Sequence, residues 1–302
     1  MSAPTLETIT AVLPEGTRSP RRRVKRGTWQ TVVWVIAMIA LTAIILYPLA
    51  WMFSASFKPT AEFGSNQGFF PENPTIDNYF TVLEGVGGVP LWQFFVNSFV
   101  LAIGSVIGTV ISASLAAYAF ARIPFKGAGV WFSIMIGTLL LPFHVLIIPQ
   151  YILFRNLELI DTFVPLLLGK FLATEAFFVF LIVQFIRALP RDMDEAARID
   201  GCGHGRIYWS IILPLIKPAL VTASIFAFIW SWNDFLGPLL YLNSTENYPL
   251  PLALRVFNDQ TSSSDYGATV AVSVLALLPI LLFFLVFQRF LVEGVSTQGL
   301  KG

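Results

Sequence analysis

Few residues in this chain of 302 have the type and spacing to do chemistry. Lys170 and Glu175 stand inside an otherwise apolar run, 163–186. In a membrane-crossing helix a charge near the centre costs about 2.5–3.5 kcal/mol on insertion scales. Five residues at ~100° each place the two side chains about 140° apart, so a regular helix does not make them a facing pair. Lys170 sits roughly 10 Å from one end of the run at 1.5 Å per residue and can extend its ammonium outward. Glu175 lies near the middle and must face a cavity or a partner helix. It is a candidate for solute hydroxyls, for a salt bridge to a partner, or for a buried protonated acid. Asn97, Asn233 and Asp234, near the ends of apolar runs, are placed either to line a path or to cap helices.

No catalytic cluster emerges. A phosphate-cradling loop needs Gly-x-x-x-x-Gly-Lys-Ser/Thr. At Gly169-Lys170 the first glycine is replaced by Val164, and Phe171 stands where the hydroxyl residue belongs. Two histidines (His144, His204) and one cysteine (Cys202) do not build a metal site, and one cysteine excludes an intrachain disulfide. The reading is a non-enzyme with no metal or cofactor of its own and no nucleic-acid partner.

The elements that position these residues follow from composition. The chain is 56% hydrophobic and 12% charged, against about 25% charged in ordinary globular chains, and its mean hydropathy is +0.72. No Asp, Glu, Lys or Arg occurs in 27–57, 85–121, 127–154, 218–233 or 266–288. Crossing a ~30 Å hydrocarbon core takes about 20 apolar residues. The expectation is an all-α polytopic membrane protein with six helices, about 29–52, 91–120, 129–151, 163–187, 211–232 and 268–290. Residues 1–28, with Arg21, Arg22, Arg23, Lys25 and Arg26, read as a disordered basic tail before a six-span domain, 29–302. All but four (Lys58, Arg155, Lys170, Arg255) of the 19 Lys and Arg fall on the side of that tail. The positive-inside rule then puts both termini in the cytoplasm. Several spans contain breakers, Pro48, Pro142, Pro149, Pro165, Pro238 and Pro279 with Gly104, Gly108 and Gly137, which read either as the ordinary Gly and Pro content of closely packed membrane helices or as kinks around a path that opens and shuts. Small residues Ser105, Thr109, Ser112, Ala113, Ala116 and Ala117 suit close helix contact.

The polar loop of about 190–214 lies between the fourth and fifth spans. Asp192 followed by Glu195 has the spacing of a capping box, and Gly201 suits the left-handed position after a helix. A helix over about 193–200, a turn at Gly201, Gly203 and Gly205, and a second helix from Arg206 into Pro214 make a helix–turn–helix across the membrane face. The pair Ala196-Ala197 offers a small surface for another molecule to approach.

Glu195-Ala-Ala followed by Gly201, then Ile211-x-x-Pro214, resembles the EAA loop of permease subunits in ABC importers. Asn97-Ser98, Pro142 through Pro149, Trp232-Asn233-Asp234-Phe235, and the tail from Gln288 through 299–302 extend the likeness to the MalG-like carbohydrate permeases over about 30–302. The resemblance implies the type I importer fold in a bacterial cytoplasmic membrane. It also implies a second homologous permease, two cytoplasmic ATPase subunits that bind ATP and Mg, and an extracytoplasmic substrate-binding protein, all amid membrane lipid. It assigns Glu195, Ala196, Ala197, Asp200 and Gly201 to the ATPase contact, and a sugar or oligosaccharide to the path. Glu175 departs from the family, where a small polar residue is usual. The alternative from another class is an ion-gradient-driven transporter or channel without an ATPase, in which Glu175 carries the proton. Such a device favours inverted repeats with paired broken helices, and the sequence shows neither.

Overall fold

The computed structural model describes residues 28–261 and 266–296, whose regular elements are all helices, with one isolated bridge, Val86–Val89, and no strand among them. The basic tail up to residue 27, Lys301 and the run 299–302 lie outside the described residues, as do the side chains of His144 and Arg289. Helix α1 (Thr28–Ala55) carries the first expected span; up to Leu49 it is a unit of its own, and every residue of it from Thr28 to Leu49 is exposed.

The second unit begins at Ala50. It holds α2 (Asp77–Glu84), α3 (Leu91–Arg122), α4 (Ala128–Thr138), α5 (Phe143–Asn156), α6 (Val164–Phe171) and α7 (Ala176–Ala188). After these come α8 (Asp192–Ile199), α9 (His204–Leu215, with a π-helical turn at Tyr208–Ile212), α10 (Lys217–Trp232), α11 (Leu236–Tyr241), α12 (Leu250–Thr261) and α13 (Tyr266–Ser296). Four stretches among the described residues are long and apolar enough to cross a membrane: α1, α3, Val164–Ala188, and Tyr266–Phe287 of α13. The pair α9 and α10, bent by 75°, makes a fifth if counted as one span.

Three of the expected spans are interrupted, each for a local reason. The run 129–151 divides because Pro142 caps α5 in an extended conformation, and the residue before a proline is pushed out of the helical region. The run 211–232 bends at Ile216, where Pro218 sits in the first turn of α10, a position proline tolerates. The run 163–187 breaks between Phe171 and Ala176, where Ala173 takes φ +55°.

Helix α3 is the post on which the others are hung, packing against α6, α7 and α10. Its small residues set how close they come. A Cβ on Gly108 would lie 2.8 Å from the Phe171 ring and 3.1 Å from the Lys170 carbonyl carbon, and one on Gly104 would lie 3.1 Å from Leu167. Ser105, Thr109, Ala113 and Ala117 are buried along the same helix. One apolar core surrounds its C-terminal end, joining Ala117 and Tyr118 to Ile182, Ile186, Ile207 and Ile212. Another surrounds its N-terminal end, joining Phe94 and Ala102 to Phe228, Trp232, Leu250 and Ala271.

Polar ties hold the loops at that N-terminal end. Asn97 Nδ2 donates to the carbonyls of Glu246 (2.7 Å) and Tyr248 (2.9 Å), and Ser98 Oγ accepts from Leu250 N (2.8 Å). Asp161, at φ +62°, donates its amide to Tyr241 O at 2.7 Å. Its carboxylate accepts from Asn243 N (2.9 Å), Ser244 N (3.0 Å), the Ser244 hydroxyl and Asn247 Nδ2 (3.2 Å). Burial pushes the Asp161 carboxyl up, but the hydrogen bonds from Ser244, Asn243 and Asn247 outweigh it and bring the pKa down to about 2.

Two stability outcomes follow. Gly108→Ala is expected to lower the thermal midpoint through an overpacking cost of about 1–3 kcal/mol. Gly137→Ala, whose added Cβ meets nothing within 4 Å, should be neutral or slightly stabilising; matching midpoints for the two would contradict the close α3–α6 approach. A folded pKa of about 2 for Asp161 lies below the ~3.9 of an unfolded aspartate. Its contribution is therefore complete above pH about 4 and lost as pH falls through about 2. Asp161→Asn should flatten the acid limb of the midpoint-against-pH curve, and an unaltered limb would contradict this role.

Candidate functional site

The break between α6 and α7 creates the first site. Gly169 O accepts from Leu172 N (3.2 Å), Thr174 N (3.4 Å) and Thr174 Oγ1 (3.0 Å), a local irregularity that interrupts the helix before Glu175 caps α7. Lys170 and Glu175 therefore meet as an ion pair, with side chains 22% and 26% exposed. This corrects the expectation that they point apart and that Lys170 reaches outward: the 100° period assumed a continuous helix. Thr109 Oγ1 donates to Glu175 Oε2 at 3.3 Å, and Ser112 Oγ to the Lys170 carbonyl at 2.6 Å.

Beside the pair is a cavity of about 190 Å³, lined among others by Lys170, Glu175, Trp230, Ser231 and Asp234. Of the four residues proposed from sequence for the path, Glu175 and Asp234 line it, whereas Asn97 and Asn233 do not. Asn97 holds the 246–248 backbone, as described. Asn233 is exposed and donates to Ile229 O at 2.8 Å, closing the end of α10. Asp234 Oδ1 accepts from Gly237 N at 3.1 Å, at the start of α11. Trp230 was not singled out by sequence. Its signal is the run Trp230-Ser-Trp-Asn-Asp234, where aromatic and polar residues alternate directly after an apolar stretch.

The second site is the α8–α9 hairpin. Helix α8 starts at Asp192, with Arg191 as N-cap and no side-chain capping bond. The expected capping box does not form, because Asp192 is already helical and Arg191 O takes the amides of Asp194 (2.9 Å) and Glu195 (3.1 Å). The Glu195 side chain is exposed and makes no hydrogen bond or ion pair among the described residues. At the other end Gly201 has φ +79°. Gly201 N donates to Arg198 O (3.0 Å) and Cys202 N to Ala197 O (2.9 Å), the two bonds of a Schellman turn.

The helix has two faces. Asp194 and Ala197 point inward; Glu195, Ala196, Asp200 and Gly201 are exposed, as is Ile199 at 86%. The two alanines thus separate, Ala197 entering the core at the C-terminal end of α3 and Ala196 facing out. Arg122 Nε lies 2.8 Å from Asp194 Oδ2, an ion pair with side chains 2% and 7% exposed, while Arg122 Nη2 donates to Leu189 O at 2.8 Å. Tyr118 Oη meets His204 Nδ1 at 3.1 Å and Ser114 Oγ meets Tyr208 Oη at 2.7 Å. Sequence reasoning missed Asp194 and Tyr208, and counted Arg122 only as one of the loop cations.

Residues 104–297, which include both sites, match the model of the binding-protein-dependent transport system inner membrane component. The chain is 33% identical over 286 residues to the arabinooligosaccharides transport system permease protein AraQ of Halalkalibacterium halodurans, across 92% of this chain and 100% of that protein. It is 32% identical over 284 residues to the diacetylchitobiose uptake system permease protein DasC of Streptomyces coelicolor, across 93% and 100% respectively. Its fold is similar to a chain of a solved bacterial ABC transporter involved in the import of the acidic polysaccharide alginate, with a TM-score of 0.75, 23% identity, and 87% of this chain and 98% of that one covered. The chain belongs to the family of binding-protein-dependent transport system inner membrane components, the permeases of ABC importers.

Proposed function

We propose that this chain forms half of the translocation path of an ATP-driven sugar or oligosaccharide importer in a bacterial cytoplasmic membrane, with six spans and both termini cytoplasmic. A second, homologous permease supplies the other half. An extracytoplasmic binding protein delivers the solute, and two ATPase subunits holding ATP and Mg grip the α8–α9 hairpin. The reading draws on the family, on sugar-transporting relatives such as AraQ and DasC, and on the distribution of Lys and Arg.

The observation that carries it is the two-faced α8. Glu195, Ala196 and Ile199 are offered to solvent while Asp194 and Ala197 anchor the same helix in the core. An exposed carboxylate with no partner among the described residues, beside a small residue and a bare isoleucine, fits a cleft with a basic residue in it. Asp200 and Gly201 shape the turn that holds this face. Movement of the hairpin passes inward by packing: Ile207 and Ile212 share a core with Ile182, Ile186 and Phe178. Phe178 touches Trp230, with ring centroids 5.1 Å apart, at the cavity. A coupling free energy between the two faces is what such a machine needs, and this packed route is a physical carrier for it.

The two neighbouring acids should behave oppositely. Glu195→Lys is expected to abolish ATP-dependent uptake in membrane vesicles while leaving the thermal midpoint unchanged. Asp194→Ala should destabilise the fold by about 3–5 kcal/mol, the usual cost of stranding one member of a buried ion pair. Uptake at the wild-type rate by Glu195→Lys would reject the docking role.

A further inference from the structure

We infer that the cavity at the α6–α7 break is a solute subsite of this chain, shaped for one ring of a neutral or amino sugar and set against acidic sugars. This rests on the importer reading and adds where on this subunit the solute sits and which charge it carries. The first support is Trp230. Its ring is held by Phe178 (5.1 Å), Phe177 (5.2 Å) and Phe226 (6.0 Å), yet the residue is 45% exposed. It is a fixed aromatic ring in the wall of a cavity that also contains hydroxyl and charged groups. The C–H face of a sugar ring stacks on such a platform while its hydroxyls reach the polar groups around it.

The second support is charge. Lys170 and Glu175 neutralise each other, and Asp234, which lines the same cavity, has no ion pair among the described residues. One ammonium thus stands against two carboxylates. Away from bulk water an excess charge is felt strongly by a charged ligand, so a uronate is repelled, whereas a hydroxyl or an amino group is accepted. The third support is size. About 190 Å³ is the space of roughly six waters at ~30 Å³ each and falls short of the ~300–1,000 Å³ of sites for larger ligands. It suits a single ring, with the rest of an oligosaccharide held elsewhere in the path.

The test uses the purified complex of this chain with its partner subunits. Thermal stabilisation is titrated with a panel of neutral, amino and uronic mono- and disaccharides. Wild type should be stabilised by a neutral or amino sugar and not by the uronates. Trp230→Leu should raise the half-saturating concentration by about tenfold or more, and Asp234→Asn should move relative preference toward the uronates by about tenfold. Asn keeps an amide oxygen for Gly237 N, so a change there reports charge rather than a lost cap. Stabilisation by no neutral or amino sugar, a uronate preferred by wild type, or variants that titrate like wild type would each overturn the subsite. ATP-dependent uptake measured in parallel separates the two readings. Uptake that persists with unaltered sugar binding in both variants sinks the subsite alone, and absence of ATP-dependent uptake in wild type sinks the importer reading.

Discussion

Arg122 at the end of α3 and Asp194 in α8 meet at 2.8 Å with both side chains almost wholly out of solvent. Neither charge is tolerable there without the other, and removing two charges from water is costly even when they pair. The pair therefore adds little to stability over an apolar substitute; what it adds is register. A helix turns 100° per residue, so fixing Asp194 inward carries Ala197 inward too and turns Glu195 and Ile199 out. Every functional statement about the hairpin depends on that choice of face. The hydroxyl contacts of Ser114 with Tyr208 and of Tyr118 with His204 fix the second arm to the same helix.

A related constraint governs the apolar interior. Backbone groups freed by a broken helix find no water in hydrocarbon and must be satisfied by protein. At the α6–α7 break, Ser112 takes the Lys170 carbonyl, and Thr174 takes that of Gly169. The approach of α3 that permits this depends on the absence of a side chain at Gly108. The small residues of α3 thus make room for irregular backbone, and that irregular backbone brings an ammonium and a carboxylate to one cavity.

Much of this was legible in the sequence. Charge-free runs located α1, α3 and α13, because in apolar surroundings a run without charges is itself the folding signal. Pro142 stood out as a breaker and Gly201 announced a left-handed turn, but the bend at Ile216 was not anticipated, because a proline in the first turn of a helix, as Pro218 is, need not mark a bend. The break at 172–175 was not legible, since Leu172, Ala173 and Thr174 include neither glycine nor proline and Ala173 adopts a positive φ that alanine seldom takes. Misplacing Lys170 relative to Glu175 followed from that one omission. The Arg122–Asp194 pair was hidden for another reason: the two residues are distant in sequence, and an acid in the first turn of a helix reads equally well as a dipole or capping residue. Only the packing of α8 on α3 distinguishes these uses.

The central claim is that the outward face of α8 is the surface on which a cytoplasmic ATPase sits. The most direct measurement places a single thiol there, Ile199→Cys with Cys202→Ala removing the native one, and follows its reaction with a membrane-impermeant maleimide. The account predicts labelling in inside-out vesicles stripped of the ATPase, protection when the ATPase is added back, and no labelling from outside intact cells. Labelling from outside, or a rate indifferent to the ATPase, would contradict it.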